Sequence, residues 1–167
     1  MITETTPAII AENIPEELRE LDQWVCWRID PRVDKDGIAW PTKVPYMAGT
    51  LRRASSTDPA TWTTFEDARA AYEAAEPPYD GIGFVFSDDD PYCGIDLDKC
   101  RNPERGDIAP WAQEIVDHVG DGYVEASPSA TGIHIIIRAS VRGGGMRRGP
   151  VEVYSRGRYF TITGRAL

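Results

Sequence analysis

The carboxylates of Asp96 and Asp98 lie two residues apart in Gly94-Ile95-Asp96-Leu97-Asp98, each preceded by an aliphatic residue. In an extended strand successive side chains point to opposite faces, so this spacing sends both carboxylates to one side and Ile95 and Leu97 to the other. Aspartate is depleted from strands, and two of them on one face are suited to holding a divalent cation. Two further segments repeat the arrangement. Ile133-His134-Ile135-Ile136-Ile137-Arg138 sets His134 opposite an aliphatic stripe, and Val151-Glu152-Val153-Tyr154 sets Glu152 opposite Val151 and Val153. If the three strands share one sheet, Asp96, Asp98, Glu152 and His134 meet on its open face. Three carboxylates are hard oxygen ligands for Mg²⁺ or Mn²⁺, and a cation relieves their repulsion. Two such ions about 3.5–4 Å apart can activate a 3′-hydroxyl and stabilise a leaving pyrophosphate during in-line phosphoryl transfer. His134 would then hold a phosphate of the incoming nucleotide.

Other polar residues have two readings each. Ser127 and Ser129 either make turns or bring a hydroxyl or backbone amide to a triphosphate. Lys43 and Arg158 are either surface charges or phosphate ligands, the first a point charge and the second a planar fork. Arg138, Arg142, Arg147 and Arg148 flank three consecutive glycines and are either a solvated face or a clamp on a nucleic-acid strand. Asp88-Asp89-Asp90, followed by Pro91, has the composition of a polar loop. Trp24, Trp27, Trp40 and Trp62 are assigned to the core. Cys26, Cys93 and Cys100 lack the short spacing of zinc ligands and read as free thiols of a reducing compartment.

The elements that must position these groups follow from the pattern. A helical turn opens at Pro15, and a strand covers Trp24 to Ile29. A hairpin or long loop surrounds Trp40 to Tyr46. A helix capped by Thr63 or Thr64 ends near Glu76-Pro77-Pro78. Gly81 to Phe86 and Tyr92 to Leu97 read as a hairpin of adjacent antiparallel strands. A second helix spans Ala109 to Val119, with Trp111, Ile115 and Val119 on one face. Further strands are expected at Gly122 to Glu125, Ile133 to Arg138, and in a pair, Val151 to Tyr154 with Tyr159 to Thr163. The class is α+β, a mainly antiparallel sheet backed by helices.

The 167 residues fit one domain, with residues 1–20 as an N-terminal extension. The net charge of −9 is unevenly distributed, with 12 acids and 3 bases between Asp80 and Glu125 but 1 acid and 7 bases from Arg138 onward. An acidic middle can hold cations while a basic end holds phosphates. Neither a secretory signal nor a membrane-spanning run is present, so a cytoplasmic home is expected.

An Asp-x-Asp strand, a small-x-His strand (Gly132-Ile133-His134) and an acidic strand, in that order, resemble the archaeo-eukaryotic primase superfamily. Thr42-Lys43-Val44-Pro45-Tyr46, Asp80-Gly81-Ile82-Gly83-Phe84, Ser127-Pro128-Ser129-Ala130-Thr131-Gly132 and Arg158-Tyr159-Phe160-Thr161-Ile162-Thr163-Gly164 are similar to the prim-pol domains of phage and plasmid replication proteins. Ala130 stands where many such proteins have glycine, and Glu152 where many in the wider superfamily have aspartate. The resemblance implies a modified RNA-recognition-like fold and template-directed synthesis of primers and DNA. It implies single-stranded or primed DNA as template, dNTPs or NTPs as substrates, and a bacterial host cytoplasm. It also implies a helicase region further along a longer polypeptide, and replisome partners. The alternatives are a metal-dependent nuclease using the same carboxylates, and a non-catalytic nucleic-acid-binding module. The module would place aromatics, not acids, on its sheet.

Overall fold

The computed structural model describes residues 8–167. Its helices are α1 (Glu16–Arg19), α2 (Phe65–Ala74) and α3 (Pro110–His118). Its strands are β1 (Trp24–Val33), β2 (Ala39–Tyr46), β3 (Gly81–Val85), β4 (Tyr92–Leu97), β5 (Tyr123–Ala126), β6 (Ile133–Arg138), β7 (Gly145–Arg148), β8 (Val151–Tyr154) and β9 (Tyr159–Ile162). The expected α+β class is borne out, with the strands divided between two antiparallel sheets. One runs β2-β1-β3-β9 and the other β5-β6-β4-β8-β7. No helix among the described residues is long and apolar enough to cross a membrane.

Local chemistry sets the helix limits. The Thr64 hydroxyl caps α2 by accepting from the Asp67 amide at 3.1 Å, and Glu66 and Asp67 sit at the electropositive first turn. Pro110 starts α3, where its missing amide costs nothing. The buried face of α3 carries Ala112, Ile115, Val116 and Val119, packed on Ile95, Leu97, Ile133 and Ile135 of the five-stranded sheet. Trp111, expected on that face, is 38% exposed. Of the tryptophans assigned to the core, Trp24 and Trp27 are buried and Trp62 is half-buried, whereas Trp40 on the β1-β2 hairpin is 42% exposed.

Both hairpins expected from short loops are corrected. β3 does not pair with β4, nor β8 with β9; in each case the connection carries the chain from one sheet to the other. At the first crossing the Asp90 carboxylate accepts from the amides of Ser87 and Tyr92 and from the Gln23 side chain, fixing a turn that leads away from β3. Loop composition marks where a chain turns but not which neighbour it meets. The run of three glycines leads into β7, which pairs with β8.

The two sheets meet around a missing side chain. On one face of the five-stranded sheet, Tyr123, Ile136, Gly94 and Tyr154 are cross-strand neighbours. A β-carbon on Gly94 would lie 2.4 Å from the Phe86 ring and 2.5 Å from the Phe160 ring, so glycine is what admits both aromatics. They join Trp24, Phe65, Phe84 and Ile82 in one core.

β9 is the edge of its sheet, and side chains from the other sheet satisfy its outer edge in place of a further strand. His134 bonds the Thr161 carbonyl, while the Glu125 carboxylate accepts from the amides of Thr163 and Gly164 at 2.9–3.2 Å and from the Tyr123 hydroxyl at 2.7 Å. Glu125 is fully buried. Removing it leaves three buried donors without acceptors. Glu125→Ala is therefore expected to cost about 3–5 kcal/mol of stability in urea unfolding. A loss under about 1 kcal/mol would contradict this assignment.

Candidate active site

The register of the five-stranded sheet aligns one transverse row of ionisable groups. Glu125 pairs with His134, His134 with Asp96, Asp96 with Glu152, and Glu152 with Arg147. Directly opposed residues hold their β-carbons about 4.5–5.5 Å apart. The strands carrying Asp96, His134 and Glu152 are thus adjacent in one sheet, with Asp96 on the central strand. Asp98 lies one residue beyond β4, exposed, with its amide donating to the Pro150 carbonyl at 2.9 Å.

The row is not fully open, because β9 lies over part of it. Phe160 stacks on the His134 imidazole with centroids 5.0 Å apart. His134 Nδ1 is 2.9 Å from the Thr161 carbonyl, which can only accept, so Nδ1 carries a proton. Nε2 is left facing the cavity, 3.7 Å from Asp96 Oδ1. Glu152 is held by Arg147 at 3.1 Å and by the Tyr154 hydroxyl at 3.1 Å.

Burial holds the Asp96 carboxyl above its usual range; His134 opposes the shift, Glu152 and Asp98 add to it, and Lys43 opposes it. The Lys43 ammonium, 5.6 Å from the Trp27 ring centroid, is pulled below its ordinary value by desolvation, against the attraction of Asp96 and Asp98. Arg158 lies over the Tyr154 ring at 4.9 Å. Lys43, Asp96, His134, Glu152, Arg158 and Thr161 line a pocket of about 210 Å³. That is below the roughly 300 Å³ at which pockets that enclose a whole small ligand begin. It shares Tyr154 and Arg158 with a groove of about 680 Å³.

Two of the expected nucleotide ligands lie elsewhere. The Ser127 hydroxyl accepts from the Gly132 amide at 3.1 Å and lies 3.1 Å from that of Ser129, which lies 2.8 Å from Thr131 Oγ1. These contacts build the turn in which Ala130 takes a left-handed φ of 61°, and neither serine lines the pocket. Ala130 therefore stands in a conformation that glycine adopts freely. Arg138 pairs with Glu17 at 2.6 Å and packs on Tyr92, away from the row. Asp88 pairs with Arg156, in keeping with a polar loop. The three cysteines are free and buried.

Sequence reasoning missed Glu125, the pairing of Arg147 with Glu152, and Thr161. Glu125 alternates with Val124 as Asp96 does with Ile95, and that was its one visible signal. Arg147 and Thr161 join the site only through the sheet crossings.

No group of three His, Cys, Asp or Glu side chains among the described residues stands close enough to hold a metal ion. The donor chemistry nevertheless fits a hard cation. Glu152 and Asp98 add to the cost of ionising Asp96, and Glu152 would reach a shared ion only by leaving Arg147.

A carboxyl raised above its unfolded value contributes stability below that value and loses it as pH rises through the folded value. Asp96→Asn should therefore melt higher than the parent at neutral pH in chelator, with the difference vanishing below about pH 3.9. A parent more stable than the variant at neutral pH would contradict the burial argument.

No family model matches the chain. A protein named DNA Primase-polymerase from Nitratiruptor phage NrS-1 is 32% identical over 154 residues, covering 87% of this chain. The chain spans 19% of that relative's length. This likeness across most of the chain bears out the resemblance carried by the Asp-x-Asp, His and acidic strands and supports a prim-pol domain.

Proposed function

We propose that the chain is a template-directed primase-polymerase domain that joins a nucleotide to a 3′-hydroxyl with release of pyrophosphate, in phage or plasmid replication. The observation that carries this reading is the register that makes His134 and Glu152 the two direct neighbours of Asp96. The name of the phage relative agrees with it.

Asp96 and Asp98 would hold Mg²⁺ or Mn²⁺, with Glu152 as the third carboxylate. When bound, such ions lower the pKa of an attacking hydroxyl and neutralise charge developing on the leaving phosphate. The protein's own groups supply the rest. His134, its Nδ1 proton fixed on the Thr161 carbonyl, presents Nε2 to the cavity and donates from it when protonated. Lys43 and Arg158 approach the same pocket from β2 and from the turn before β9, and suit phosphate oxygens as point charge and fork. A pocket this small holds the phosphates. The sugar, base and primed or single-stranded DNA extend past Tyr154 and Arg158 into the larger groove. Ser127 and Ser129 act at one remove, by shaping the turn that leads into β6.

Two cationic side chains, Lys43 and Arg158, and an imidazole beside the carboxylates favour gripping a triphosphate over activating a water, which separates this reading from a nuclease using the same acids. The test is extension of a primed template by the chain with dNTPs and Mg²⁺ or Mn²⁺. Replacing Asp96 and Asp98 together with alanine is expected to reduce extension by about a thousandfold or more, the loss of several kcal/mol of charge stabilisation. Extension that survives the double substitution, or degradation of the strand in place of extension, would reject the proposal.

A further inference from the structure

Thr161 is 95% buried, since only 5% of its surface is exposed, yet its hydroxyl has no hydrogen-bond partner among the described residues. A buried hydroxyl without a partner is costly, so native structures rarely keep one idle. Its place is informative. Thr161 pairs with Gly83 on the face of the four-stranded sheet that turns away from the aromatic core. Tyr159, two residues earlier on that face, packs its ring over Gly83 and donates its hydroxyl to the Lys43 carbonyl at 2.9 Å. Thr161 thus shares the pocket wall with Lys43, while its own carbonyl orients His134.

Resting on the nucleotide-binding reading of this pocket, we infer that Thr161 is a substrate-positioning residue whose hydroxyl donates to a phosphate oxygen of the bound nucleoside triphosphate. Two cationic side chains on the same wall favour an anionic oxygen as the missing partner. A hydroxyl adds what they do not, a short donor of fixed direction on a rigid strand. The backbone of Thr161 serves the protein by holding His134, and its side chain serves the ligand.

The structure separates these two duties by substitution. Thr161→Val keeps the shape and the carbonyl and removes only the hydroxyl, while Thr161→Ser keeps the hydroxyl. If the hydroxyl has no partner inside the protein, its removal does not lower the melting temperature. Binding of the matching dNTP with Mg²⁺ to the chain on a dideoxy-terminated primed template is the readout, alongside thermal melting. The expected result is a dissociation constant raised about tenfold or more in Thr161→Val, near-parental binding in Thr161→Ser, and a melting temperature no lower than the parent's in Thr161→Val. Equal dNTP affinity in the parent and Thr161→Val would overturn the inference and leave the nucleotide site standing. Equal losses in both variants would overturn it in favour of a packing role. A parent that binds no dNTP would instead reject the reading of the pocket itself, and this inference with it.

Discussion

Strand register across the five-stranded sheet is the constraint on which the site depends. Side chains alternate with a period of two, so a slip of one residue in β6 would replace His134 by Ile133 or Ile135 beside Asp96 and turn the imidazole into the aliphatic layer under α3. The packing forbids that slip. Ile95, Leu97, Ile133 and Ile135 are buried against α3, and reversing them would expose the layer while burying a row of charges. The hydrophobic face therefore sets the position of the chemical face. The row Glu125, His134, Asp96, Glu152 and Arg147 carries three acids against one fixed cation and one imidazole, and burial adds to the cost of ionising Asp96. That unfavourable balance is what a bound cation would relieve.

The second sheet turns this row into a pocket. Phe86 and Phe160 enter where Gly94 has no side chain, which brings β9 down beside His134. An unpaired strand edge offers donors and acceptors in a fixed order, and here they are taken by Glu125 and His134. The contact that closes the fold also fixes the tautomer of the imidazole. Stability and chemistry share the same two residues, so damage at Glu125 would be felt at His134.

Much of this was legible in the sequence, and the reason is physical. Alternation within a strand is local, so Ile95-Asp96-Leu97, Ile133-His134-Ile135 and Val151-Glu152-Val153 each showed which side chain opposes the aliphatic ones. The bounds of α2, α3 and β6 followed from caps, proline and periodicity. What failed was partner choice. Ser87 to Pro91 and Ser155 to Arg158 read as hairpin turns, yet both carry the chain between sheets, because the neighbours of β3 and β9 are set by core packing far away in sequence. The same limit hid Thr161, whose strand was recognised but whose place beside His134 depends on the crossing. Ser127 and Ser129 kept two readings for a related reason, since only the folded turn shows their hydroxyls engaged with one another, with Thr131 and with the Gly132 amide.

Diffraction from crystals of the chain grown with Mn²⁺ and a dNTP whose α,β-bridging oxygen is replaced by nitrogen would locate the ions and the triphosphate. Anomalous scattering from manganese is expected about 2.0–2.3 Å from the carboxylates of Asp96 and Asp98, with the triphosphate against Lys43 and His134. Manganese bound only elsewhere, or a triphosphate lodged away from Asp96, would contradict this placement.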